Sequence, residues 1–126
     1  MIPKFRAYDS GSLSRMYQPD EVMVGNGNIW IIDEDSVAGD WIVNNDIHLM
    51  QSTGLKDKNG KEIFEGDILK SNKYITSVFY ERGAYCVKFR RTPNTTVIMN
   101  VINFIEKYKT KIVGNIYENP ELLEVE

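Results

Sequence analysis

Short apolar segments recur along the chain with turn residues between them. Most alternate with a period of two, the spacing that sends every second side chain of a strand to the same face. Phe5-Arg6-Ala7-Tyr8 predicts a first strand, closed by the turn residues Asp9-Ser10-Gly11-Ser12. Val22-Met23-Val24 and Ile29-Trp30-Ile31-Ile32 flank Gly25-Asn26-Gly27-Asn28, where Asn-Gly accepts the positive φ of a tight hairpin. Trp41-Ile42-Val43 and Ile47-His48-Leu49-Met50 are two further strands about the turn Asn44-Asn45-Asp46. Asn59-Gly60 and Glu65-Gly66-Asp67 mark two chain reversals. Residues 75–80 and 84–89 predict a hairpin closed by Glu81-Arg82-Gly83. On its second strand Tyr85, Val87 and Phe89 share a buried face, while Cys86, Lys88 and Arg90 share the other. Val97-Ile98-Met99 continues the β pattern. Asn100 then stands where a cap belongs, before a helix near 101–109 whose apolar positions Val101, Ile102, Phe104, Ile105 and Tyr108 keep helical spacing. A strand over 112–117 and a short turn at Asn119-Pro120-Glu121-Leu122-Leu123 complete the pattern.

The fold class is therefore mainly β, a β-rich α+β arrangement with a single short helix. At 126 residues the chain suits one domain able to bury a real core, with β-hairpins over 1–50 and a barrel-like region over 51–126. Hydrophobic residues make up 42% and charged residues 26%, which points away from disorder. The longest apolar runs fall far short of the roughly 20 residues a bilayer requires, and no signal-peptide core follows the N-terminus. A cytoplasmic protein without membrane contact is expected, and Cys86, the only cysteine, cannot form an internal disulfide.

The net charge of −3 argues against indiscriminate nucleic-acid binding but conceals a split along the chain. Residues 9–46 hold eight acids against Arg15 alone, a balance of −7, and residues 82–111 hold seven bases against Glu106, a balance of +6. Complementary halves that face each other or share a solvated surface account for this. Head-to-tail contact in a homo-oligomer, or a local anionic ligand site, would also use it. Edge strands that a small β-rich protein must cover support the oligomer.

Candidate chemistry is sparse. His48, the sole histidine, sits between Ile47 and Leu49 in a strand and is read as structural, since a triad or a histidine metal site would need more partners. Cys86 alternates with Tyr85 and Val87 and is read as a small apolar filler. Asp33-Glu34-Asp35 lacks the alternating positions and glycine of a calcium loop and is read as solvated. Glu65, Asp67 and Lys70 superficially match the acid-acid-lysine sets of metal-dependent nucleases, although turn formation already explains Gly66-Asp67. No phosphate-binding loop or dinucleotide fingerprint occurs. Catalytic residues, cofactor and metal are accordingly all read as none. The remaining candidates are Lys88, Arg90 and Arg91 with Tyr80, Tyr85 and Phe89 interleaved, a mixture suited to single-stranded nucleic acid. Alternation along the strand sends charge and aromatic rings in opposite directions, which favours a solvated basic edge.

Three stretches, Lys4-Phe5-Arg6-Ala7-Tyr8, residues 49–68 around Asp57-Lys58-Asn59-Gly60-Lys61-Glu62-Ile63-Phe64-Glu65-Gly66-Asp67-Ile68, and residues 113–123 beginning Val113-Gly114-Asn115-Ile116-Tyr117, resemble the YopX family of phage and prophage proteins over essentially the whole chain. The resemblance implies a phage-encoded cytoplasmic protein of unassigned function and carries over no catalytic or binding residue. The turn at Glu65-Gly66-Asp67-Ile68, the hairpin and the late helix also look like a small SH3-like barrel in the C-terminal half, a likeness of fold alone. The expected function is a non-catalytic binding or assembly module with a phage or host protein partner. A nucleic-acid-binding accessory factor using Lys88, Arg90 and Arg91 is the first alternative, and a metal-dependent hydrolase or nuclease around Glu65 and Asp67 the second.

Overall fold

The structure, a computed structural model, describes residues 3–11 and 14–124, and the chain divides into two compact units, Met1–Ser52 and Thr53–Glu126. Strands take up 52% of it and helices 12%, so the mainly-β expectation holds.

The first unit runs through β1 (Phe5–Asp9), β2 (Arg15–Tyr17), a 3-10 turn at Pro19–Glu21, β3 (Val22–Gly25), β4 (Asn28–Ile32), β5 (Trp41–Val43) and the beginning of β6 (His48–Lys56). The β3–β4 hairpin closes through Asn26 and Gly27 at φ 52° and 76°, the two-residue left-handed turn that Asn-Gly favours. Trp41-Ile42-Val43 and the segment after it are both strands, but they do not pair with each other. β5 adds to β4, with Trp30 opposite Val43, while β6 adds to β1, with Ala7 opposite Leu49. The turn between them is tied back to β4, because Asn44 N donates to Ile29 O (2.9 Å) and Ile29 N donates to Asn45 Oδ1 (2.9 Å). Alternation buries Ala7, Tyr17, Val22, Ile31 and Ile47 together. Arg15, the lone cation of the acidic stretch, pairs with Glu21 (2.6 Å) and Glu34 and lies 4.2 Å over the Tyr17 ring.

The second unit continues with the end of β6, then β7 (Glu62–Phe64), β8 (Asp67–Lys70), β9 (Ile75–Ser77), β10 (Phe79–Glu81), β11 (Ala84–Thr92), β12 (Thr95–Asn100), α1 (Val101–Lys107), β13 (Lys111–Asn115) and a 3-10 turn at Pro120–Leu123. The reversals at Asn59-Gly60 and Gly66-Asp67 are built on carboxylates. Asp57 Oδ1 accepts from the backbone N–H of Asn59 and Lys61 (both 2.9 Å), and its Oδ2 accepts from Ile112 N (2.9 Å), stitching the turn to β13. Burial alone would raise this carboxyl, but the donors of Ile112, Lys61 and Asn59 and the Lys61 charge hold it below its usual 3.8. Asp67, 1% exposed, accepts from Phe64 N at 2.7 Å across Glu65-Gly66, where Gly66 has φ 87°.

The expected strand over 75–80 is broken in the middle. β9 pairs with β8 in the sheet β13-β8-β9, and β10 pairs with β11 in the sheet β10-β11-β12. Val78, 2% exposed, turns inward at the break; its N–H donates to Asp67 O (2.9 Å) and its carbonyl accepts from Gly66 N (2.8 Å). One segment thereby serves two sheets and curls them into a half-barrel. Thr76 fastens the corner, its hydroxyl donating to Lys88 O (2.7 Å) and accepting from Lys88 N (3.3 Å). Inside lie Ile63, Leu69, Val87, Phe89, Val101 and Phe104.

The helix forms but stops at Lys107, because Tyr108 is already extended at φ −121° and ψ 128°. Val101 and Phe104 are buried as expected, whereas Ile102 is 45% exposed. Asn100 occupies the cap position without capping: its Oδ1 meets the Cys86 Sγ at 3.6 Å instead.

Candidate functional site

β11 is the strand on which the sequence candidates meet the structure. Val87 and Phe89 point inward (0% and 5% exposed), and Tyr85 packs partly against the same core, leaving Lys88 and Arg90 on the outer face. The Phe89 ring lies against Tyr74 at a centroid distance of 4.2 Å and against Phe104 at 5.5 Å, so it supports the core and, at 5% exposed, shows little of itself at the surface.

An aromatic ring does reach the basic face, from the neighbouring strand. The hairpin closes through two residues, Arg82 (φ 50°) and Gly83 (φ 83°), which pairs Glu81 with Ala84, Tyr80 with Tyr85 and Phe79 with Cys86. Phe79 therefore shares a face with Cys86, Lys88 and Arg90, while Tyr80 and Tyr85 stack edge to face at 5.0 Å on the other side. The three-residue turn at Glu81-Arg82-Gly83 expected from sequence shifts the register by one and puts Phe79 on the wrong face. Lys73, in the loop between β8 and β9, is a second residue missed by pattern alone, because loop positions carry no periodicity.

Lys73, Lys88 and Arg90 line a groove of about 480 Å³, with Phe79, Phe89 and Leu123 supplying apolar wall. Arg91 is not among its lining residues. The β11–β12 register shifts between Arg90 and Thr92, a bulge that takes Arg91 out of the alternation. No acidic side chain borders the groove among the described residues.

The other candidates lie elsewhere. Glu65, Asp67 and Lys70 are not brought together: the Asp67 carboxylate is buried in its turn, and Lys70, three residues along β8, is exposed on the opposite face. Glu65 stands instead beside Tyr85 and Tyr117. Burial, and then the Glu65 charge, raises both phenols above their usual 10, so neither serves as a base near neutrality. His48 Nε2 and Ser10 Oγ are 3.0 Å apart at the start of β6. Cys86 is buried between sheet and helix cap. In the acidic loop, Asp33 Oδ1 accepts from Asp35 N (3.0 Å) and Glu34 pairs with Arg15, which uses two of the three carboxylates structurally. No helix among the described residues is long and apolar enough to cross a membrane.

These features define a mainly β protein with one short helix and a basic groove beside a sheet corner. The chain belongs to the YopX family: the family model described as YopX protein matches residues 4–124. The crystal structure of protein EF1440 from Enterococcus faecalis is similar to it, with 30% identity over 98% of this chain and 99% of that one and a TM-score of 0.62. No curated protein matches the chain.

Proposed function

We propose that the protein is a non-catalytic binding module whose working surface is the groove of Lys73, Lys88, Arg90 and Phe79, and that its ligand is a nucleic acid. One observation carries the reading: three cations and an aromatic ring share one groove that no acid lines among the described residues, in a chain whose net charge is −3. The cations suit phosphates and the ring suits a base, the pairing that single-strand binders use. A phage or prophage origin and work in the host cytoplasm belong to this reading through the family resemblance.

Fluorescence anisotropy with a labelled mixed-sequence deoxyoligonucleotide tests it. Binding at low salt should weaken steeply as salt rises, and neutralising Lys88 and Arg90 should lower the slope of log K against log salt by about 0.7 per lost phosphate contact. Phe79→Ala should cost about 1–3 kcal/mol without changing the slope, because stacking releases no counterion. Arg91→Ala should change little. No binding at low salt, or binding that survives neutralisation of Lys73, Lys88 and Arg90 together, would overturn the reading.

Self-association is a second reading, supported by β3 and β5, which edge their sheet and expose Met23, Val24, Ile42 and Val43 at 42–45%. Light scattering showing only monomer at high concentration and low salt would remove it.

A further inference from the structure

On the other side of the Ser71–Tyr74 loop lies a second groove, of about 440 Å³, lined by Ser71, Asn72, Lys73, Lys107, Tyr108 and Lys109. Lys73 borders both grooves, and no acidic side chain lines either among the described residues. The loop that separates them is held rigidly. Ser71 N donates to Tyr74 O (2.9 Å), and Ser71 Oγ accepts from Lys73 N (3.2 Å) and Tyr74 N (3.0 Å). Beneath it the Tyr74 ring is clamped between Phe89 at 4.2 Å and Tyr108 at 5.4 Å. The ring under the first groove thus touches the ring that lines the second, and Lys73 is presented from a fixed ridge between them. Lys107 ends the helix and Lys109 lies just past it, where their charges also complement the last carbonyls. That role explains cations at a helix end; it does not explain a groove that joins them to Lys73.

We infer that the two grooves form one track, and that a single-stranded nucleic acid seated against Phe79, Lys88 and Arg90 crosses the Lys73 ridge and places further phosphates against Lys107 and Lys109. This rests on the nucleic-acid reading of the first groove and adds the path and length of the ligand. A second, sequence-distant set of cations makes binding length-dependent. A strand that fills only the first groove gains nothing from Lys107 and Lys109, and one that reaches the second gains two phosphate contacts.

The test compares single strands of about 4 and about 12 nucleotides on the full chain and on Lys107→Gln/Lys109→Gln, substitutions that remove the charge and keep a polar side chain. The longer strand should show a salt slope steeper by about 1.4, from about 0.7 for each of two added contacts. Between 50 and 200 mM salt its affinity should then fall about seven-fold further than that of the short strand. In the double variant the increment should vanish while short-strand binding stays unchanged. Equal slopes for the two lengths on the unaltered chain, or an unchanged 12-nucleotide slope in the double variant while Lys88→Gln/Arg90→Gln loses binding, would overturn the track and leave the first groove standing. Failure of both strands to bind at low salt, including the case in which poly-glutamate binds instead, would overturn both.

Discussion

Asp57→Asn isolates the carboxylate that joins the β6–β7 turn to β13. The substitution leaves size and shape almost unchanged, but it sets an NH2 group against Ile112 N in place of Oδ2 and leaves the two donors on Oδ1 with a neutral acceptor; the flipped amide would instead lose both of those bonds. Hydrogen bonds to a charged acceptor contribute about 1.5–3 kcal/mol each, and a buried donor left without a partner costs about 1–3 kcal/mol. One bond lost and two weakened give about 3 kcal/mol, or roughly 12 °C in Tm at about 4 °C per kcal/mol for a chain of this length. The pH dependence separates charge from shape. The folded carboxyl titrates below 3.8, so the unfolded chain takes up the proton first as pH falls. The stability due to ionised Asp57 is therefore fully present above its unfolded pKa and is lost as pH falls through 3.8 toward the folded value. Urea melts of the two proteins at pH 7 and pH 3 should show the full gap at the higher pH and a narrowed one at the lower. A gap under about 0.5 kcal/mol at pH 7, or an equal gap at both, would refute the assignment.

Two further substitutions probe backbone features. A Cβ at Gly114 would stand 2.5 Å from Asn119 Oδ1 and 2.9 Å from Asn119 Cβ, so Gly114→Ala should destabilise by about 2 kcal/mol, read from a urea melt. A melt unchanged by it would show that the 115–119 turn moves freely. Arg82 holds φ 50° beside Gly83, so Arg82→Asn should raise stability by about 0.5–1 kcal/mol; a lower Tm would mean that the arginine side chain contributes more than the turn strain costs.

Where period and turn chemistry agreed, the chain could be read directly. Asn26-Gly27 fixed its hairpin, and Tyr85, Val87 and Phe89 faced inward as alternation required. β2 escaped notice because Arg15-Met16-Tyr17 is too short to show a period, and its register comes from β1. The break at Val78 escaped because an apolar residue between two apolar strand ends looks like continuation; only the bonds from Gly66 and to Asp67, distant in sequence, divide it. Half of the candidate site was visible as Lys88 and Arg90. Phe79 depended on a one-residue difference in turn length, and Lys73, Lys107 and Lys109 on how a loop and a helix end come together in space.

The division at Val78 also orders the steps by which the second unit assembles. β10 and β11 can pair locally about Arg82-Gly83, and β8 and β9 about Ser71–Tyr74, whereas β13 joins β8 by pairing Lys111 with Lys70 across a long intervening chain. A wall of the first groove comes from each sheet, but from β9, β10 and β11 and not from β13, so its cations are carried by the locally paired strands and the Ser71–Tyr74 loop. The surface that carries the cations thus depends on short-range pairings, and the long-range one closes the sheet behind it.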